Sequence, residues 1–568
     1  MPPFPARRAL VSLLPLGVAI VLVACASGGT TKLAPLDRGS ASRGEQNDAA
    51  IVHFLNRATF GVRPADIDEV RHAGVAAFLD RQLHPDQIDD AALHGRLAAF
   101  ETLNLTSKQI AERYYLPAEE ASRRRKLATQ AAATTSAGAA GARATSPAPA
   151  AQPPPVSAAD QDLFRGARLV LQELSEQKVL RALYSERQLQ EVLVDFWFNH
   201  FNVFAGKGAD RGLLTAYERD VIRPRVFGRF RDLLGATAES PAMLFFLDNW
   251  MSAAPNDAMG LRTRAAARAR PPSSSPVAAV NARRRAGLNE NYARELMELH
   301  TLGVDGGYTQ RDVVEVARCF TGWTIAKPRD GGDFTFDARQ HDPGQKVVLG
   351  HVIKAGGGKS DGDQVLDILA RDPHTAHFVA TKLVRRFVAD DPPPALVERV
   401  ARRFRETDGD LREVYRAIFL SDEFRSPPAY VAKTKTPFEF VTSALRATGA
   451  RVEDAASIVQ AVRSLGMPLY YCQPPTGYAD RADAWVNTGA LLNRMNFALA
   501  LVDNRLPGVH IDLSALAGTA DLAAARAQLL GELLDNNASA STLAVLNKAT
   551  TVPQLVALAL GSPEFQKR

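Results

Sequence analysis

The chain has 568 residues, 46% of them apolar and 23% charged. That is an ordinary globular balance, with length enough for one large core or two to three domains. A formal charge of +6 is small for this length, and no basic run is interleaved with aromatic residues, so nucleic-acid binding is not indicated.

The first 24 residues have the pattern of an export signal. Arg7 and Arg8 precede an apolar run over 9–23. Leu22-Val23-Ala24-Cys25 resembles a bacterial lipobox, which implies cleavage before Cys25 and lipidation of that residue. Three acyl chains there would anchor the protein stably in a membrane, since one chain alone binds only marginally. The simpler reading is a secretory signal with an incidental cysteine. Ala26 rather than Asp resembles outer-membrane sorting, so the expected location is the cell envelope, at the outer membrane. Residues 25–46 are rich in Gly, Ser and Thr and read as a tether. Beyond the leader no apolar run is long enough to span a bilayer. Cys319 and Cys472 are the remaining cysteines; a single disulfide and two buried thiols both fit.

A helical domain is expected over 47–505. His53 to Gly61 followed by Pro64 reads as helix, stop and helix. Residues 122–160 are Ala, Thr, Pro, Ser and Arg with few large apolar groups and read as a disordered insertion. From Asp162 to Phe204 a long helical period follows. Its second half carries Phe196, Trp197, Phe198, Phe201 and Phe204 around the helix, so it should be buried on most sides. Yet Glu191, Asp195, Asn199 and Asn202 form one stripe along it. Buried polar groups need partners. The stripe is therefore either an internal hydrogen-bond network or one wall of a polar cavity. Residues 252–287 read as a second disordered, Arg-rich insertion.

Punctuation is densest over 287–312. Asn289 is placed to cap a helix and Gly303 to stop it. At 100° per residue, Tyr292, Ala293, Leu296, Leu299 and His300 share one arc. Glu295 and Glu298 lie on the other, either as a solvated face with Arg294 paired at i,i+4 to Glu290 and Glu298 or as a carboxylate-lined site. His300 reads as a core histidine. Thr309 and Asp312 have capping-box spacing and start the next helix. After Trp323 the period becomes alternating, which predicts a small β-hairpin near 333–350. His341-Asp342-Pro343-Gly344 makes the turn, and the turn explains every residue of it except His341. His374 and His377 read as surface residues. Gln473-Pro474-Pro475-Thr476-Gly477-Tyr478 reads as a rigid loop that either closes a cavity or bridges two helices. Residues 506–568 read as a helical end.

The segment 289–310, with Thr321-Gly322-Trp323, resembles the signature of the bacterial family known as domain of unknown function 1800. So do 195–203, 241–250, His341-Asp342, 382–388 and 487–497, so the likeness spans roughly 50 to 505. The resemblance implies an exported, largely helical protein with no assigned activity. Family context also implies a sulfatase-like partner protein.

The expected fold is thus mainly α, a compact multi-helix domain with a small β-hairpin and two disordered insertions. Two functions fit the sequence. One is an envelope enzyme, a hydrolase or transferase acting on an envelope or extracellular polymer. Asp195, Asn199, Glu295, Glu298, His341 and Asp342 would supply its acid/base groups or the ligands of a divalent metal. The other is a non-catalytic binding or assembly lipoprotein in which the same groups satisfy a buried network. No phosphate-binding glycine loop, zincin helix or nucleophile elbow decides between them.

Overall fold

The computed structural model describes residues 43–139, 156–254, 287–519 and 521–568. The export signal, Cys25 and nearly all of the tether lie outside the described residues, as do 140–155 and 255–286 within the two expected insertions.

Local capping sets many of the boundaries. The Asn289 side chain accepts from the Tyr292 amide at 3.1 Å and opens the helix Glu290–Glu298. Thr309 and Asp312 form the reciprocal capping box of the helix Gln310–Cys319. Asp372 caps Pro373–Phe387, and Ser421 caps Asp422–Arg425. Each cap satisfies an amide that the first helical turn leaves without a partner.

The long period after Asp162 resolves into two helices, Ala158–Tyr184 and Gln188–His200. The second runs through the interior. Trp197 is fully buried, and its indole N–H donates to the Tyr415 hydroxyl at 2.6 Å, which in turn donates to the Val226 carbonyl at 2.8 Å. Truncating a buried aromatic of this kind costs about 3–5 kcal/mol. One continuous apolar core extends from Ile51 to Phe565, so the helices after residue 506 belong to the same body as the rest. Thr488–Val502 and Val552–Gly561 pack on each other there.

Two observations differ from the expectations. The first expected insertion begins in helix: Leu116–Ala139 is helical, because an Ala- and Arg-rich stretch has high helix propensity even without an apolar face. The strands expected near 333–350 are present but belong to separate hairpins. Phe334–Phe336 pairs antiparallel with Trp323–Ile325, and Lys346–Val348 with His351–Ile353. A third two-stranded pair joins Arg451–Val452 to Val509–His510. Cys319 and Cys472 are both buried and both free thiols.

Candidate functional site

The polar stripe of the Gln188–His200 helix meets a different partner at each turn. Glu191 takes a two-pronged contact from Arg223, at 2.6 and 3.0 Å. Asp195 pairs with Lys178 at 2.9 Å. The Asn199 amide N–H donates to the Tyr478 carbonyl at 2.8 Å while its oxygen accepts from the Tyr478 amide at 2.7 Å. Asn202 donates to the carbonyls of Cys472 and Pro474. The stripe is therefore an internal network, and its lower half fastens the loop 472–478.

Glu218, which sequence reasoning missed, joins this network at its centre. It lies 3.8 Å from Lys178 and 3.5 Å from Arg223, and it accepts from Gln177 and from the Tyr470 hydroxyl, each at 2.7 Å. Burial pushes its carboxyl up, but the two cations and two hydrogen bonds outweigh burial and hold it below the usual range. Lys178 is likewise opposed by burial and held above its ordinary value by Asp195 and Glu218. The sequence does carry a trace of this: Gln177, Lys178 and Arg181 stand at i, i+1 and i+4 on the Ala158–Tyr184 helix beside the apolar Val179, Leu180 and Leu183.

The remaining predicted residues bond elsewhere. His341 is buried. Its Nδ1 donates to the Thr321 carbonyl at 2.8 Å, and its Nε2 lies 3.1 Å from the fully buried Asp361. Lys346 donates to the same Asp361 oxygen at 2.5 Å. Asp342 receives Arg318 at 2.8 and 3.2 Å. These groups tie the two small hairpins to the helices beside them. Glu295 is half-buried, and burial followed by repulsion from Glu298 raises its carboxyl above the usual range. The Tyr308 hydroxyl donates to Glu298 at 3.1 Å. Arg294 does not pair with Glu290 or Glu298; it bonds Gln310, which bonds Glu290. His300 is a core residue, with burial and then Lys382 lowering its ring to about 3. His374 and His377 lie on the surface. No hydrogen bond or ion pair joins Asp195 and Asn199, Glu295 and Glu298, or His341 and Asp342 into one site. Among the described residues no three His, Cys, Asp or Glu side chains converge to hold a metal.

A cleft of about 760 Å³ lies on the other side of the network. Arg168, Leu171, Gln172, Ser175 and Glu176 line one wall, from the helix that carries Lys178. Leu469 and Tyr471 line another. Tyr470 between them has a left-handed φ of 63°, and its hydroxyl is anchored inward on Glu218. Such a conformation costs a non-glycine residue of order 1–3 kcal/mol and persists only when its surroundings enforce it. The third wall holds Tyr115, in a short π-helical turn over Ala111–Tyr115. A Cβ on Gly212 would come within 2.9 Å of the Tyr115 ring, so glycine is what lets the ring lie there. Gly331, at φ 69°, passes so close to the Ser107 carbonyl that a Cβ would sit 2.3 Å from it, which brings Arg329 to the rim.

The charges in this cleft are unbalanced. Arg168, Arg211, Arg329 and Arg463 line it with Glu119 and Glu176, and none of the four arginines makes an ion pair among the described residues. Arg463 instead lies over the Tyr471 ring, 5.5 Å from its centre. Glu176 is buried and its carboxyl is raised by that burial.

The fold and cleft define a class: a mainly helical protein whose buried ion network backs an arginine- and tyrosine-lined groove. The chain belongs to the family described as Protein of unknown function (DUF1800), whose model matches residues 53–567. The match continues through the C-terminal helices, past the span near 505 that the sequence motifs mark. No curated protein and no solved structure matches the chain.

Proposed function

We propose that this is an exported envelope protein that binds an anionic polymer strand in the 115–168–211–463 cleft, rather than one that uses the six polar residues as a catalytic centre. The observation that carries this reading is the set of four unpaired arginines sharing one cleft with Tyr115, Tyr471 and Phe164. Guanidinium groups suit carboxylate and sulfate oxygens, and aromatic faces suit the apolar faces of sugar rings. Export and lipidation at Cys25 are part of the proposal. They rest on Arg7, Arg8, the apolar run and the lipobox-like segment.

The test uses the soluble form beginning at Ala26. Binding to a polyuronate oligomer and to a neutral glucan of equal length is compared by calorimetry at two salt concentrations. The expected result is binding to the polyuronate alone, weakened by salt and reduced at least tenfold in an Arg168→Gln/Arg463→Gln double variant. Equal binding of the two polymers, or an unchanged double variant, overturns the proposal. Metal analysis of protein never exposed to chelator addresses the enzyme: a stoichiometric ion lost in His341→Ala would return the metal-dependent hydrolase to first place.

A further inference from the structure

Phe378 and Lys382 stand one turn apart on one face of the helix Pro373–Phe387, and both are half-buried. The Lys382 Nζ lies 5.6 Å from the centre of the Phe378 ring. Two remote segments pack on that ring. The His200 ring is 6.3 Å from it, centre to centre. Gly303, at φ 82°, passes so near that a Cβ there would come within 2.8 Å of the Phe378 ring, so glycine is what lets the chain after His300 approach it. The His200 and His300 rings are themselves 6.3 Å apart, and His200 Nε2 donates to the His300 carbonyl at 3.1 Å. Lys382 is thus held beside an aromatic ring and near two buried imidazoles, from three stretches of chain that the fold brings together.

No carboxylate pairs with this lysine among the described residues, whereas Lys178, Lys346 and Lys433 each pair directly with one. Asp480 is the acid that attracts Lys382, but neither of its oxygens comes within ion-pairing distance. Its Oδ1 faces Lys433 at 3.2 Å and Arg386 at 3.9 Å, and its Oδ2 has no hydrogen-bond partner. Arg385, on the same helix, repels Lys382. The two histidines are buried and stay neutral, so they add no negative charge. Burial, with Arg385, brings the amine down to about 8 against the pull of Asp480. At pH 7.4 about a fifth of such an amine is free base, against about a thousandth of an ordinary lysine. The side chain is not sealed, because Lys382 keeps part of its surface in solvent.

We propose that Lys382 is a nucleophilic amine that captures small aldehydes as an imine. A lysine without a paired carboxylate, set against an aromatic ring and still reached by solvent, is the form of that side chain suited to carbonyl chemistry. The Nζ lone pair adds to the carbonyl carbon. The carbonyl oxygen takes up a proton from water as the nitrogen gives one to water. The carbinolamine then loses its hydroxyl as water and the C=N bond forms. One amine and one aldehyde give one imine and one water, and no oxidant or reductant is needed. Because the lysine is half-buried against Phe378, the carbonyl has to be unhindered, which favours a short-chain aldehyde over a ketone. The site is independent of the arginine-lined cleft and of the polymer reading.

The test is reductive alkylation of the folded soluble protein beginning at Ala26, with glycolaldehyde and cyanoborohydride, at pH 7.4 and pH 9.5. Peptide mass spectrometry follows the rate at Lys382 against Lys108 and Lys354, which are exposed. At pH 7.4 Lys382 should react at least about tenfold faster than either. At pH 9.5, where ordinary lysines shed more of their protons, that ratio should fall to about one or below. Equal rates at pH 7.4 overturn the proposal. So does an advantage of the same size at both pH values, since it would report access of the reagent rather than a free amine. Acetone in place of glycolaldehyde should leave Lys382 no faster than the exposed lysines, and an equally large advantage with acetone would overturn the assignment to aldehydes. The measurement is made on wild-type protein, so no variant has to fold for it to decide.

Discussion

The Tyr470 hydroxyl donates to Glu218 at 2.7 Å, while the next residue, Tyr471, stands on the cleft wall. One residue is thus tied into the buried ion network and its neighbour is presented to the cleft. The network thus lies behind the proposed binding surface.

Tyr470→Phe keeps the ring and removes the donor to a buried carboxylate. The expected cost is about 1–3 kcal/mol, read as a lower urea midpoint with an unchanged slope. Polyuronate affinity should fall as well, because Tyr471 loses its anchored neighbour. An unchanged midpoint would show that Glu218 does not depend on this bond.

Lys178→Met leaves Asp195 and Glu218 facing each other without their shared cation. Breaking a buried pair from one side costs about 3–5 kcal/mol. Adding Asp195→Asn should recover part of that loss, since the second substitution removes one of the stranded charges. Simple additivity of the two losses in a double-mutant cycle would show that the residues are not coupled.

Acid sensitivity should begin above the carboxylate range. His300 is lowered to about 3 by burial and then Lys382, and His200 is held well below its ordinary value by burial, Lys382 and His300. Both therefore stay neutral in the fold while the unfolded chain takes up protons below about pH 6.5. Stability falls as pH drops from about 6.5 toward 3, by up to about 1.4 kcal/mol per pH unit for each ring. Urea titrations at pH 7 and pH 5 measure the slope, and His300→Gln should flatten it. A wild-type midpoint that does not move between these pH values would contradict the assignment.

Gly477→Ala should destabilise the loop that Asn199 holds. Gly477 has φ 73°, and an added Cβ would lie 2.2 Å from the Asn199 carbonyl oxygen. Asn199→Ala should give a related loss, about 1–3 kcal/mol, by leaving the Tyr478 amide and carbonyl unmatched. Faster proteolysis at 473–478 in both variants is the expected readout, with cleavage elsewhere unchanged.

The helix starts were legible in the sequence because a cap is a bond across two or three residues. Asn289, Thr309, Asp372 and Ser421 each bond an amide within that reach. The polar stripe of Glu191, Asp195, Asn199 and Asn202 was legible for a similar reason: helical spacing places those residues on one line whatever surrounds the helix. Their partners were not, because they are remote in sequence. Tyr478 lies far along the chain from Asn199, as Tyr470 does from Glu218, and no local period connects them. Packing likewise set the partners of Asp195, which pairs with Lys178, and of His341, which bonds Thr321 and Asp361. Strand pairing followed the same rule, since Phe334–Phe336 and Lys346–Val348 were recognisable as strands while their true partners depended on the helices they pack against. The sequence determined the helical class, the caps and the burial of the central helix. The tertiary structure decided which charges are satisfied, as in the Lys178–Glu218 network, and which are left over, as in the arginine-lined cleft. Charge balance is a sum over neighbours in space, and neighbours along the chain do not contain it.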